Sequence, residues 1–174
     1  VHMDRPFFPA DIVGSLAQSS CPRVLVTTPV HLRAIRDAGL EWPETEFVLS
    51  ATAPLSTEIA AGVEQVMHTQ VREIFGCTEA GSFASRITVT DGSWHLYEDF
   101  TLKLHESRAE LLAEHLSQIV ELFDVIEMES AEHFRILGRH SDMLKIAGKR
   151  ASLGDLNHKL LKIDGVEDGA FFMP

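Results

Sequence analysis

Long hydrophobic runs are missing from this sequence. Of its 174 residues, 45% are hydrophobic and 24% are charged, which is the balance of an ordinary soluble globular protein. No apolar stretch approaches the roughly 20 residues that a membrane-spanning helix needs, and the first residues lack the pattern of a secretory signal. The sequence therefore predicts a folded protein without a membrane span, and we expect it in the cytoplasm.

Cysteine is scarce. The two thiols, Cys21 and Cys77, are far apart and form no Cys-x-x-Cys pair, so we expect neither a disulfide framework nor a zinc site. The nine histidines are scattered and include no His-Glu-x-x-His motif, which is a second argument against zinc. We expect both thiols to be reduced, with Cys77 as a small buried side chain rather than a nucleophile.

Positive charge is under-represented. The sequence has 15 basic and 26 acidic residues. The resulting net charge of −11 repels nucleic-acid phosphates and anionic membranes. We expect no nucleic-acid partner, and any phosphate site must be local. Acidic residues crowd one stretch and basic residues the next, a pattern that most often marks solvated faces of neighbouring strands: Glu121, Asp124, Glu127, Glu129 and Glu132, then Arg139, Lys145, Lys149 and Arg150.

The first half of the chain alternates short β-branched runs with helical periodicity. This β-α-β-α-β pattern predicts a parallel sheet covered by helices, and ligands of open α/β sheets bind beyond the carboxyl ends of the strands. The strands are predicted at residues 24–28 (buried), 46–50 and 71–75, and the helices near Pro29 and after an N-cap at Ser56.

After Arg86 the sequence pattern changes to short segments of alternating polar and apolar residues without a helical face. They predict an antiparallel β unit, a small barrel being one form it could take, from segments at residues 88–90, 94–97, 101–105, 110–116, 121–128 and 134–137. A strand at 143–146, a helix after Ser152 and a strand at 166–173 follow, with Phe171 and Phe172 in the core.

These segments define the expected fold class and domains. The class is α/β: a partial three-layer parallel-sheet unit, a small antiparallel β unit and the start of an α+β C-terminal domain. The corresponding domains are residues 1–90, 91–138 and 139–174.

One segment carries a hydroxyl and a carboxylate in a small-residue turn. Residues 71–81, VREIFGCTEAG, read as a strand that runs into a turn with Thr78 and Glu79. A hydroxyl beside a backbone turn can bind a phosphate oxygen, and an adjacent carboxylate can hold magnesium. Phe75 offers a flat face for a base. Taken alone, such a turn is more often structural.

Two further segments sharpen this interpretation. Residues 138–150 read GRHSDMLKIAGKR, and residues 50–55 read SATAPL. The three segments together resemble the AMP-forming adenylating enzymes: acyl-CoA synthetases, fatty acyl-AMP ligases, adenylation domains of peptide synthetases, and luciferases. They are similar, respectively, to that family's aromatic-Gly-x-Thr-Glu motif, its Gly-Arg-x-Asp-Asp-x-x-Lys hinge with the following hairpin, and its small-residue loop ahead of a helix.

The resemblance implies a reaction. A carboxylate attacks the α-phosphorus of ATP to give an acyl-adenylate and pyrophosphate, and the acyl group usually passes to a thiol afterwards. The implied ligands are ATP or AMP, magnesium, a small-molecule carboxylic acid, and CoA or the phosphopantetheine thiol of an acyl-carrier protein. Fatty, hydroxyacyl and aryl acids all remain open.

The same resemblance implies residue roles. Thr78 contacts the α-phosphate and Glu79 coordinates magnesium, while Arg139 contacts the ribose hydroxyls and Asp124 accepts from them. Leu122-Phe123 replace the usual Thr-Gly before that aspartate, and Ser141 replaces an acidic residue or lysine of the hinge. The further nucleotide-binding residues are Ala51, Thr52, Ala53, Pro54, Phe75, Gly76 and Cys77. The hinge and the second half-reaction take Ser141, Asp142, Lys145, Gly148 and Lys149.

Two parts of the family's machinery have no counterpart in these residues. They are the Ser/Thr/Gly-rich phosphate loop with its lysine, expected ahead of Val1, and the catalytic lysine, expected beyond Pro174. We therefore expect a fragment of a longer ligase that is inactive by itself. The alternatives are a non-catalytic module with a degenerate adenylation fold that binds an adenosine nucleotide or an acyl-carrier protein, and an unrelated α/β domain with accidental matches.

Overall fold

The computed structural model describes residues 6–105, 108–139, 143–146, 149–160, 163, 165–166 and 169–172. The chain divides into two compact units, Val1–His95 and Leu96–Pro174. The finer division at residues 90 and 138 stays a prediction. Within the described residues, no helix has both the length and the apolar character needed to cross a membrane.

The first unit is built on a sheet that begins parallel and ends antiparallel. Strands β1, β2 and β3 pair in parallel, and β4 returns antiparallel to β3. The predicted β-α-β-α-β order is confirmed, whereas α1 and β4 have no counterpart in the sequence-based prediction. The elements are α1 (Pro9–Gln18), β1 (Val24–Thr27), α2 (Pro29–Asp37), β2 (Phe47–Ser50), α3 (Thr57–Met67), β3 (Gln70–Cys77), β4 (Gly81–Ile87) and, at the division between the units, β5 (Trp94–Leu96).

Local sequence signals explain where the helices begin. Helix α2 starts with Pro29, whose fixed φ and missing N–H suit the first helical position. Helix α3 has the predicted N-cap, because the Ser56 hydroxyl accepts from the Ile59 N–H at 3.2 Å. Glu58 lies in the first turn, where its charge complements the helix dipole.

The core of the first unit lies between the three helices and the strands. Leu32 and Ile35 of α2, Val48 of β2 and Val63 of α3 are fully buried there. Strand β1 is different, and its prediction as a buried strand is wrong: Val26 is 65% exposed. Among the described strands β1 lies at one end of its sheet, and Val24 and Val26, two residues apart on one face, are both exposed.

The second unit is antiparallel, as predicted. Its strands form an open three-stranded sheet in the order β6-β7-β8 and two hairpins, β9–β10 and β11–β12, before a final helix. The elements are β6 (Phe100–His105), β7 (Arg108–Ala113), β8 (Val120–Leu122), β9 (Asp124–Met128), β10 (His133–Arg139), β11 (Met143–Ile146), β12 (Lys149–Ser152) and α4 (Leu153–Leu160).

Three segment predictions need correction. Residues 88–90 form a turn, in which the Ile87 N–H donates to the Asp91 carboxylate and the Asp91 N–H donates to the Ile87 carbonyl. Residues 121–128 are two strands that break at the exposed Phe123. The described part of residues 166–173 is no strand, and Phe171 and Phe172 are exposed, because an apolar run does not by itself provide a partner strand.

Helix α2 allows a matched test of this core. Ile35→Ala should lower the free energy of unfolding by about 2–5 kcal/mol, because it leaves a cavity at a fully buried position. Val30→Ala on the same helix should change it by no more than about 0.5 kcal/mol, because Val30 is 73% exposed. Urea unfolding followed by circular dichroism measures both values, and equal losses would contradict the burial of α2.

Candidate functional site

The Thr-Glu pair lies in the turn between β3 and β4. Cys77 pairs with Gly81, and Thr78, Glu79 and Ala80 connect them. Thr78 and Glu79 are exposed at the carboxyl end of a strand that runs parallel to its neighbour β2. The turn therefore stands at the edge of the sheet where ligands of α/β proteins bind.

Close backbone contact shapes this turn. A Cβ added at Gly76 would lie 2.2 Å from the Gly81 carbonyl oxygen, so no side chain fits there without moving the backbone. Gly81 has a φ of 69°, a left-handed conformation that favours glycine. The register also shifts between Phe75 and Gly76, which marks a bulge. Both glycines are thus needed to bring the ends of β3 and β4 together.

Phe75 belongs to an aromatic cluster of the first unit. Its ring meets the Phe83 ring edge-on at 4.9 Å and the Trp94 ring at 5.3 Å between centroids. The Arg86 guanidinium lies over the Trp94 ring, 4.7 Å from its centroid. The half-buried Phe75 ring is therefore supported by two aromatic neighbours.

The small-residue loop follows β2 and is held at both ends. The Ala51 N–H donates to the Thr27 carbonyl at 3.1 Å, and the Leu55 N–H donates to a Glu73 carboxylate oxygen at 2.9 Å. Between these bonds Thr52, with a φ of 82°, Ala53 and Pro54 are exposed. The loop thus presents its short side chains to solvent from two fixed ends.

Glu73 is a residue that the sequence analysis missed. It is 2% exposed, and its carboxylate accepts from the Leu55 N–H, the Thr88 hydroxyl at 2.9 Å and the Arg86 Nε at 2.7 Å. A signal was present, because Glu73 stands two positions after Val71 and so on the same buried face of the strand. A carboxylate at a core position of a strand indicates a buried partner.

Cys77 is half-buried, so the prediction of a buried side chain is wrong. Burial raises the pKa of its thiol above the usual range, and the neighbouring Glu79 carboxylate raises that pKa further through a hydrogen bond and through its charge. The thiol therefore stays protonated near neutral pH, where it is a weak nucleophile.

The second unit brings together Asp124 and Arg139, which are 15 positions apart in the sequence. They pair across the β9–β10 hairpin, with 3.6 Å between the Arg139 Nε and the Asp124 Oδ1. A register shift between Ile136 and Gly138 inserts Leu137 and so brings Arg139 opposite Asp124. The Arg139 side chain is 67% exposed and thus open to a ligand.

The predicted hinge is described only in part. Ser141, Asp142 and Gly148 lie outside the described residues. The backbone around Lys145 and Lys149 forms the predicted strand and its antiparallel partner, since Lys145 pairs with Arg150 and Ile146 with Lys149.

A magnesium ion fits the turn only together with a phosphate ligand. Where the structure describes the chain, no three His, Cys, Asp or Glu side chains cluster in a way that could hold a metal. Magnesium, however, is commonly bound by one or two carboxylates plus substrate phosphates. The single exposed carboxylate of Glu79 beside the Thr78 hydroxyl is compatible with that mode.

Similarity to known proteins is found in structure and not in sequence. No protein-family model and no curated protein sequence matches the chain. ATP-bound MatB from Rhodopseudomonas palustris aligns with a TM-score of 0.76 at 16% identity, over 94% of this chain and 39% of its own. MenE from E. coli with bound OSB-AMS aligns at 0.69 and 12% identity, over 88% of this chain and 37% of MenE.

A third solved structure agrees. Coronafacic acid ligase from Pectobacterium brasiliense aligns with a TM-score of 0.64 at 16% identity, over 92% of this chain and 38% of the ligase. All three proteins are AMP-forming ligases. The chain therefore has the fold of these ligases, and it spans about two fifths of their length.

The electrostatics of the turn can be tested through Cys77. In a Cys21→Ser background, Glu79→Gln should lower the pKa of the Cys77 thiol, because it removes the negative charge that disfavours the thiolate. Alkylation by iodoacetamide at about pH 8 should then run about twofold faster or more, as quenched time points in mass spectrometry would show.

The matched control is Glu98→Gln, which removes the same charge from an exposed turn of the second unit. Its alkylation rate should equal that of the background. An unchanged or slower rate for the Glu79 variant would contradict the contact between Glu79 and Cys77.

Proposed function

We propose that this sequence belongs to an AMP-forming ligase that activates a carboxylic acid with ATP as an acyl-adenylate and then transfers the acyl group to a thiol. The observation that carries the proposal is the exposed Thr78-Glu79 turn at the carboxyl end of β3, in a chain with the fold of AMP-forming ligases. Such a reaction depends on positioning the reactants and neutralising charge at the phosphates, and the turn offers groups for both.

The first unit binds the phosphate and base portions of the nucleotide. The Thr78 hydroxyl donates a hydrogen bond to an α-phosphate oxygen. Glu79 holds magnesium, which neutralises charge on the phosphates when bound. The Phe75 ring and the loop of Ala51, Thr52, Ala53 and Pro54 flank the adenine, with Gly76 and Cys77 alongside. The two glycines let the ends of β3 and β4 approach closely, and this shapes the turn that displays Thr78 and Glu79.

The resemblance assigns the ribose to Asp124 and Arg139. Asp124 accepts hydrogen bonds from the hydroxyls, and the exposed Arg139 head donates to them. The Arg139 Nε and the Asp124 Oδ1 lie 3.6 Å apart, which is longer than a hydrogen bond, so a sugar hydroxyl would compete with a weak contact.

The thiol step would use the segment after Arg139. Ser141 and Asp142 form the hinge, and Lys145, Gly148 and Lys149 lie on the hairpin that approaches the acceptor, CoA or a carrier-protein phosphopantetheine thiol. We place the enzyme in the cytoplasm and, since the net charge is −11, without a nucleic-acid partner. The chain of 174 residues binds the adenosine side and does not turn over by itself.

A non-catalytic module that binds an adenosine nucleotide or an acyl-carrier protein is the second candidate. The observation that favours it is Leu122-Phe123, with an exposed Phe123, where the resemblance calls for Thr-Gly ahead of Asp124. Such a module binds its ligand without catalysing acyl-adenylate formation.

Exchange of labelled pyrophosphate into ATP separates these candidates. The longer natural protein should catalyse the exchange when it is supplied with a panel of fatty, hydroxy and aryl acids, and the chain of 174 residues should bind AMP without exchange. No exchange by the longer protein with any acid would overturn the ligase and favour the binding module. Robust exchange by the shorter chain would overturn its inactivity.

Glu79→Ala in the longer protein should slow pyrophosphate exchange by about 100-fold. The substitution removes the carboxylate that holds magnesium, and magnesium neutralises charge at the phosphates. The loss should be largest at limiting magnesium and smaller when magnesium is raised, which a titration of the exchange rate would measure. Glu98→Ala serves as the control and should retain the parent rate. An unchanged rate for Glu79→Ala at limiting magnesium would refute the metal role.

A further inference from the structure

The Glu73 carboxylate connects the two segments that flank the proposed adenine position. On one side its Oε1 accepts from the Leu55 N–H at 2.9 Å and so ends the loop of residues 51–54. On the other side its Oε2 accepts from Arg86, with 2.7 Å to Nε and 2.6 Å to the terminal nitrogen. One buried side chain thus touches both the loop and strand β4.

Arg86 links Glu73 to Phe75 through the Trp94 ring. Its guanidinium lies 4.7 Å from the centroid of the Trp94 ring, and that ring packs against Phe75 at 5.3 Å. Arg86 is therefore held between a carboxylate and an aromatic face, a geometry that suits its planar head. The chain of contacts runs from the Leu55 amide through Glu73, Arg86 and Trp94 to the Phe75 ring.

The chemistry at this position calls for a carboxylate. The Leu55 N–H, the Thr88 hydroxyl and the Arg86 guanidinium all donate to Glu73. A glutamine amide has one oxygen and one NH₂ group, so its NH₂ would face a donor on one side or the other. An unpaired Arg86 charge would remain in a half-buried position as well.

We propose that Glu73 is a positioning residue that sets the Ala51–Pro54 loop and the Phe75 ring at the separation an adenine base requires. The inference rests on the proposed function, because it takes these two segments as the groups that flank the base. Glu73 itself acts only through the Leu55 amide and through Arg86.

The test compares Glu73→Gln with Glu64→Gln. Glu64 of α3 accepts from the N–H of Val71, two residues before Glu73 on β3, at 2.8 Å, so the control removes the same charge from the same kind of bond. Hydrogen exchange followed by NMR should show the Leu55 amide exchanging about tenfold faster in Glu73→Gln. In Glu64→Gln the Val71 amide should exchange faster and Leu55 should not.

Nucleotide binding gives the second readout. The chain with Glu73→Gln should bind AMP about tenfold more weakly by calorimetry, whereas Glu64→Gln should bind it as the parent does. In the longer protein, Glu73→Gln should raise the KM for ATP about tenfold and change the maximal exchange rate by less than about threefold. A residue that merely supports stability would not separate the two variants in this way.

The outcomes are distinct. Parent-like exchange at Leu55 or parent-like AMP affinity in Glu73→Gln would overturn the positioning role. If the unsubstituted chain does not bind AMP and the longer protein does not catalyse pyrophosphate exchange, the proposed function is overturned instead. Hydrogen exchange at the Leu55 amide would still decide whether Glu73 holds the loop. If Glu73→Gln does not fold, Arg86→Lys keeps the charge, weakens the planar contact with Trp94, and should weaken AMP binding with Leu55 still protected.

Discussion

The ion pair between the buried Glu73 carboxylate and the half-buried Arg86 guanidinium is the interaction on which the candidate site depends. A charge removed from water is costly unless it is paired and fully hydrogen-bonded, and removing one member of such a pair typically costs about 3–5 kcal/mol. In the first unit this requirement is met by a backbone amide from the loop after β2, and by a guanidinium and a hydroxyl from the end of β4 and the turn that follows it. Satisfying one carboxylate therefore fixes the loop after β2 against the hairpin of β3 and β4.

Local signals were sufficient to predict much of the fold. Ser56 and Pro29 marked helix starts, and the alternating elements gave the parallel order of β1, β2 and β3, because capping and periodicity act over a few residues. The exposure of Val26 could not be predicted in the same way, since it depends on whether another strand lies beside β1. A run of β-branched residues reads alike on an edge strand and in a buried one.

The site residues likewise include some that local sequence predicts and others that only the strand pairing brings together. Thr78 and Glu79 are adjacent in the sequence, so their common turn follows from local pattern alone. Asp124 and Arg139 meet only because the bulge at Leu137 adjusts the register of β10, and spacing does not reveal a bulge. The partners of Glu73 come from a loop and a returning strand, and β4 was itself absent from the prediction.

The contact between Gly76 and Gly81 has a consequence for how such a site can diversify. The turn owes its shape to two backbones in contact, so the side chains at positions 78–80 carry little of the structural load. Substitutions at positions 78–80 can therefore change the chemistry of the turn and leave its backbone in place. A side chain at Gly76 or Gly81 would deform the turn itself. The three solved structures share the fold with this chain at 12–16% identity, so most individual side chains are not needed for that fold.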